Sequence, residues 1–156
     1  MKIAITNRQR TEKINARFLK LVVVELFAEL KITEAELGIH LVGAKEMARV
    51  NRQFLQHEGS TDVITFNHEE ISSKRLARTL APPKIHGELF ICVDVAIGQA
   101  KEFKTSWQAE VVRYVVHGVL HLLGYDDLKP TLRRKMKRAE NRLVRILSAR
   151  FALSKL

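Results

Sequence analysis

Cysteine is nearly absent: Cys92 is the only one in 156 residues. A lone thiol excludes an internal disulfide and a cysteine-built metal site. No uninterrupted apolar run approaches the roughly 18 residues that a membrane-spanning helix needs. The opening stretch, MKIAITNRQR, lacks a secretory apolar core, so the expected compartment is the cytoplasm. There is no internal repeat, low-complexity segment or Gly/Ser linker. With 46% hydrophobic and 28% charged residues, the composition is that of a folded chain, expected as one domain over residues 1–156. Acidic residues are also scarce, but only locally. Residues 1–128 hold 17 basic and 16 acidic side chains, whereas residues 129–156 hold 10 basic and one acidic, Glu140. A near-neutral body with a strongly cationic end implies a polyanion partner, with RNA, DNA and anionic lipid as the candidates.

Periodicity gives the elements. Residues 2–6 alternate as a strand. Ile14, Phe18, Leu21, Val22, Leu26 and Leu30 share one helical face, with Thr11 as the expected N-cap. A strand is expected at 37–42, and a helix over 44–56 with Met47, Val50 and Phe54 inward. A short strand follows at 62–66. Residues 67–86, polar and basic with Pro82-Pro83, read as a loop. An apolar strand over 88–93 precedes helices over 95–104, capped by Asp94, and 107–123, capped by Ser106. A last helix spans 130–151 with Pro130 in its first turn. The order predicts an α+β fold: a small, mixed four-stranded sheet with helices packed on it. In the last helix, Leu132, Met136, Leu143, Ile146 and Leu147 form the core-facing stripe. Arg133, Arg134, Lys137, Arg138, Arg142 and Arg145 then point outward, with too few aromatics among them for a base-stacking platform.

The chemistry concentrates in HGVLHLLGYDD, residues 117–127. His117 and His121 lie four apart on a helix, so both rings share a face and can meet one ion. Gly124 suits the left-handed residue that ends a helix, and the turn brings Asp126 or Asp127 towards the rings. Two imidazoles and a carboxylate leave a fourth coordination position for water. The surrounding helix is apolar on most sides, so the stripe Glu110, Arg113, Tyr114, His117 and His121 must be satisfied by an ion and a wet cleft. The residue after the first histidine is Gly118, not the glutamate of the zinc peptidases, which removes the usual helical base. Arg113 has the fork geometry to stabilise charge on a reacting phosphoryl group. Cys92 reads as a small buried residue, Trp107 as packing, Thr61 and Asp62 as turn residues with cleft lining as a lesser role. His40, His57, His68 and His86 read as strand, turn or surface residues.

The same motif resembles the YbeY family, bacterial metal-dependent endoribonucleases that mature ribosomal RNA. The family pattern HGxLHLxGYDH meets HGVLHLLGYDD, TDVLSF meets Thr61–Phe66, and GDIxIC meets Gly87–Cys92. Glu46, Met47 and Asn51 fit the family's preceding helix, and the likeness runs over roughly residues 35–147. It implies an α+β fold with a metal cleft. It also implies a single-strand-specific endoribonuclease in rRNA maturation and ribosome quality control, with one zinc per chain and no organic cofactor. Ribosomal RNA and the small ribosomal subunit are the implied partners, with no membrane. The implied ligands are His117, His121 and Asp127, the last standing where the family has a third histidine. A family arginine that meets RNA phosphate aligns with Leu55, and Arg52, one turn earlier, is the stand-in. The C-terminal cations Arg133, Arg134, Lys137 and Arg138 complete the expected RNA contacts. The competing reading is a non-catalytic ribosome-assembly factor that binds RNA around a structural metal.

Overall fold

A computed structural model describes residues 1–55, 59, 61–69 and 81–156. Strand β1 (Lys2–Asn7) leads through helix α1 (Ala16–Glu29) to β2 (Glu34–Val42). Helix α2 (Ala44–Val50) runs on into a π-helical turn, Asn51–Leu55. Strands β3 (Val63–Asn67) and β4 (Lys84–Cys92) follow, then α3 (Val93–Phe103), α4 (Trp107–Leu122) and α5 (Pro130–Arg150). The sheet order is β1-β2-β4-β3. β1, β2 and β4 are mutually parallel, and β3 alone is antiparallel, against β4. The mixed α+β fold is the expected one. No helix among the described residues is long and apolar enough to cross a membrane.

Alternation builds the core. Ala35, Leu37, Ile39 and Leu41 of β2, with Ile85, Leu89 and Ile91 of β4, present one buried face. Helix α4 lies on that face as the central helix, and ten of its sixteen residues are buried. Two glycines set its height. A Cβ on Gly118 would lie 2.6 Å from the Leu89 Cδ2, and one on Gly87 would lie 2.7 Å from the Cδ2 of Leu122 in α4. The other face of the sheet is covered at one end by α2, where Met47 and Val50 pack on Val42, Ile64 and Cys92. Cys92 is buried, as read, and its burial raises the thiol pKa.

Several local expectations are corrected. The α1 cap is Asn15, whose Oδ1 accepts from the Phe18 N–H, while the Thr11 hydroxyl is drawn to Asp94 Oδ1 at 2.8 Å. Asp94 does not cap α3, which starts at Val93; its Oδ2 accepts from the Ala44 N–H at 2.7 Å. Residues Lys84–His86, expected in a loop, extend β4, because they pair with Glu34–Glu36 of β2 while their exposed side chains keep a polar pattern. Asn67, also expected in that loop, ends β3, and residues 70–80 of it lie outside the described residues. Phe54 is not inward: the π-helical turn leaves it 57% exposed. Leu132, assigned to the core stripe, is 38% exposed in the first turn of α5. Met136, Leu143 and Leu147 are buried as expected.

Candidate metal centre

The end of α4 builds the site. The Gly124 N–H donates to the His121 carbonyl at 2.9 Å, and the Tyr125 N–H to the Leu120 carbonyl at 3.0 Å. That pair of bonds is a Schellman motif, and Gly124 supplies its left-handed residue at φ +94°. The turn then does two things. It points the Tyr125 carbonyl at His121, whose Nδ1 lies 3.0 Å away. A carbonyl only accepts, so Nδ1 carries the hydrogen and Nε2 keeps its lone pair. It also brings Asp127 back over the helix. Asp126 serves the turn, its Oδ1 accepting from the Leu128 N–H at 2.8 Å. The Arg133 Nε donates to the Asp127 carbonyl at 3.0 Å and ties the turn to α5.

Three donor atoms converge. His117 Nε2 and His121 Nε2 are 3.1 Å apart. Asp127 Oδ2 lies 3.7 Å from the first and 3.5 Å from the second. Donors about 2.0–2.1 Å from a tetrahedral zinc stand about 3.3 Å from one another. The triangle therefore has the dimensions a zinc-sized ion needs, and among the described residues it is the one His/Cys/Asp/Glu group so compact.

Sequence reasoning missed Glu140. It is 4% exposed, and its carboxylate lies 3.6 Å from His117 Nδ1, 3.2 Å from Arg113 Nη1 and 3.6 Å from Lys137 Nζ. Burial alone pushes the His117 pKa down, but the Glu140 carboxylate, helped by Asp62 and Asp127, outweighs it, and the net direction is up. For Glu140, burial pushes the pKa up, but His117, Lys137 and Arg113 outweigh it and hold the carboxyl below its ordinary value. The available signal was its being the lone acid of the C-terminal segment, spaced from Met136, Leu143 and Leu147 as a core-facing position.

Most of the polar stripe on α4 is satisfied inside the protein, not by a cleft. Glu110 accepts from the Thr105 hydroxyl at 2.8 Å, and the Tyr114 hydroxyl donates to Gln99. Burial raises the Tyr114 pKa, so the phenol stays a donor. Arg113 donates to Glu140 and, at 2.8 Å, to Asn141. His117 is left for the cleft, a cavity of about 360 Å³ that also exposes Asp62, Arg113, Asp127, Arg133 and Lys137, and His121 adjoins it beside His117 and Asp127. Arg134 and Arg138 are exposed on α5 outside that lining. Arg52 is not brought to the cleft; it lines a different groove, with Arg8 and Arg49. His57 lies outside the described residues. His40 and His68 bond the two carboxylate oxygens of Glu88, at 2.9 and 3.0 Å, and His86 is exposed.

The family described as Endoribonuclease YbeY matches residues 4–148. The Endoribonuclease YbeY of Chlorobium phaeovibrioides is 37% identical over 107 residues, 69% of this chain and 65% of the relative. That of Kineococcus radiotolerans is 38% identical over 110 residues, 70% of this chain and 63% of the relative. For these two the matched stretch thus spans just under two thirds of the relative's length. That of Salinibacter ruber is 30% identical over 139 residues, 89% of this chain and 87% of the relative. The solution structure of TM1509 from Thermotoga maritima superposes with a TM-score of 0.67 at 23% identity, covering 95% of this chain and 90% of that one, and so shares the fold.

Proposed function

The chain belongs to the endoribonuclease YbeY family, and on that premise we propose that it is a metal-dependent, single-strand-specific endoribonuclease. It acts as one domain, residues 1–156, in ribosomal RNA maturation and quality control at the small ribosomal subunit in the cytoplasm. The observation that carries this reading is the donor triangle of His117, His121 and Asp127, set in a cleft beside Arg113, Arg133 and Lys137.

The three residues would hold one zinc ion. When bound, such an ion supplies Lewis-acid stabilisation of phosphoryl charge and a water of lowered pKa. Charge supports its presence. The cleft sets Arg113, Arg133 and Lys137 against Asp62, Asp127 and Glu140, a formal balance of zero. A divalent ion makes it net positive, as a phosphodiester requires. The chain's own residues then bind and orient. Arg133 and Lys137 meet backbone phosphate, with Arg134 and Arg138 extending the contact along α5. Arg113 is held by Glu140 and Asn141 through Nη1, which leaves its other N–H donors for a phosphoryl oxygen. Glu140 and the Tyr125 carbonyl orient the two imidazoles, the task second-shell groups perform at metal sites.

The test is cleavage of an RNA with paired and unpaired segments by zinc-loaded, nuclease-free protein, beside Asp127→Ala. Cuts confined to unpaired segments by the wild type and absent from the variant are the expected result. Equal cleavage by both would refute the site. Binding without cleavage at full zinc occupancy would leave an assembly factor with a structural metal.

A further inference from the structure

A second basic surface lies where β1, β2 and α2 meet. It is a groove of about 760 Å³ that exposes Arg8, Arg10, Lys45, Arg49 and Arg52 against a single acid among the described residues, Glu46. It shares no lining residue with the metal cleft. Glu46 engages Arg8 at 2.8 Å and Arg49 at 3.6 Å. Arg10 and Lys45 make no ion pair among the described residues, so the groove keeps a formal charge of about +4.

The backbone under these cations is fixed by two side chains. Gln9, 7% exposed, saturates its amide: Nε2 donates to Asn7 Oδ1 and the Glu12 carbonyl, and Oε1 accepts from the Thr11 and Glu12 N–H groups. That holds Arg8 and Arg10 on either side of a rigid turn. Asp94 joins this turn to α2, accepting from the Thr11 hydroxyl through Oδ1 and from the Ala44 N–H through Oδ2. Gly43 leaves room for that carboxylate, since a Cβ there would lie 3.2 Å from Asp94 Oδ2. A like-charged cluster on a pre-formed concave floor repels itself unless an anion fills it.

We infer that this groove is a second RNA-contacting surface, one that tracks phosphates beyond the metal cleft. The inference rests on the ribonuclease reading. The placement suits it. The groove sits at the carboxyl ends of β1 and β2, where Arg8 and Gly43 follow the strands. The cleft lies at the same end of the sheet, by β4 and β3, where the Cys92 N–H donates to the carbonyl of Asp62, itself a cleft residue. Both surfaces open at this end of the sheet, the cleft on the α4 side and the groove beside α2, which packs on the opposite face. Among the described residues the groove's lining offers no aromatic ring, so it does not stack bases. It offers no apolar anchor either, which disfavours an acidic protein partner. Contact is therefore with the backbone and independent of sequence.

The experiment is a salt titration of single-stranded RNA binding by fluorescence anisotropy. It compares wild type with the triple variant Arg10→Gln, Lys45→Gln, Arg52→Gln and with the charge-keeping triple Arg10→Lys, Lys45→Arg, Arg52→Lys. Three lost phosphate contacts at about 0.7 each should make the log–log slope shallower by about 2 in the neutral triple. The charge-keeping triple should hold the wild-type slope. An unchanged slope in the neutral triple overturns the groove, and so does an equal loss in both triples. Poly-glutamate is titrated in parallel. Weaker poly-glutamate binding with an unchanged RNA slope would assign the surface to an acidic protein and overturn the inference. The cleavage test above stands apart: wild type that cleaves RNA while the slopes coincide loses the groove and keeps the nuclease.

Discussion

Replacing Glu140 by glutamine tests whether this carboxylate tunes the metal centre or only packs α5 against α4. Glutamine keeps the shape and can still accept from Arg113, but removes the negative charge behind His117. Two magnitudes follow. Losing an outer partner of a ligating histidine costs about 10–100-fold in metal affinity, equivalent to about 1.4–2.7 kcal/mol. Losing the charge on a buried acceptor of an arginine costs about 1.5–3 kcal/mol of stability. Arg113 is 27% exposed and recovers some solvation, so the lower half of that range applies. The melting temperature should then fall by about 3–9 °C. Zinc affinity, measured by competition with a chromogenic chelator at neutral pH, should fall by the stated factor. Glu140→Asp, which shortens the side chain but keeps the charge, should recover part of it. A variant that melts earlier yet binds zinc as tightly as wild type would refute the reasoning and leave Glu140 a packing anchor.

Gly118→Ala sets a gain in helix propensity of about 1 kcal/mol against a Cβ 2.6 Å from Leu89 Cδ2 and 3.3 Å from its Cγ. Leu89 is fully buried and cannot withdraw, so a net loss of about 1–2 kcal/mol is expected; thermal melts check it, and an unchanged or raised midpoint would count against the α4–β4 contact. Hydrogen bonds from His40 and His68 hold the Glu88 pKa below its ordinary value. Its contribution is therefore present above that value and lost as pH falls through the depressed folded value. Glu88→Gln should cost under about 1 kcal/mol at pH 7, since the side chain is 40% exposed, and nothing once the wild-type carboxyl is protonated; a constant offset across pH would contradict this. Neutralising Arg133, Arg134, Lys137, Arg138, Arg142 and Arg145, all exposed, should flatten the salt dependence of RNA binding while circular dichroism stays native. An unchanged slope would return this face to solvent.

What was legible in the sequence divides along a physical line. Helices α4 and α5 were read to within a residue because their signals are local: Ser106 bonds the Ala109 N–H, Pro130 opens the first turn, and Gly124 closes the other end. The two histidines were legible for the same reason, but the turn left Asp126 and Asp127 as alternatives, and only the family resemblance singled out Asp127. Tertiary competition hid the rest. Thr11 has the chemistry of a cap but is claimed by Asp94, 83 positions away, leaving the cap to Asn15. Asp94 sits at a helix start yet spends its carboxylate on another helix. Residues 84–86 carry the polar pattern of a loop because only one face of that strand is buried. Glu140 acquires a role only when α5 crosses α4 and sets its carboxylate behind His117 and Arg113.

The turn at Gly124 has one more consequence. All three donors come from eleven consecutive residues, His117 to Asp127, and two backbone hydrogen bonds form the turn that leads to the last of them. Assembly of the centre therefore costs little loop-closure entropy, and its loss does not require unfolding of the sheet. Fraying of the final turn of α4 is sufficient, because it moves the Tyr125 carbonyl, the His121 ring and Asp127 together. Amide protons at Gly124 and Tyr125 should then exchange slowly with zinc bound and quickly after chelation, while those of β2 and β4 stay protected throughout. The ion would act there as a clasp on one helical turn, with the rest of the fold standing without it.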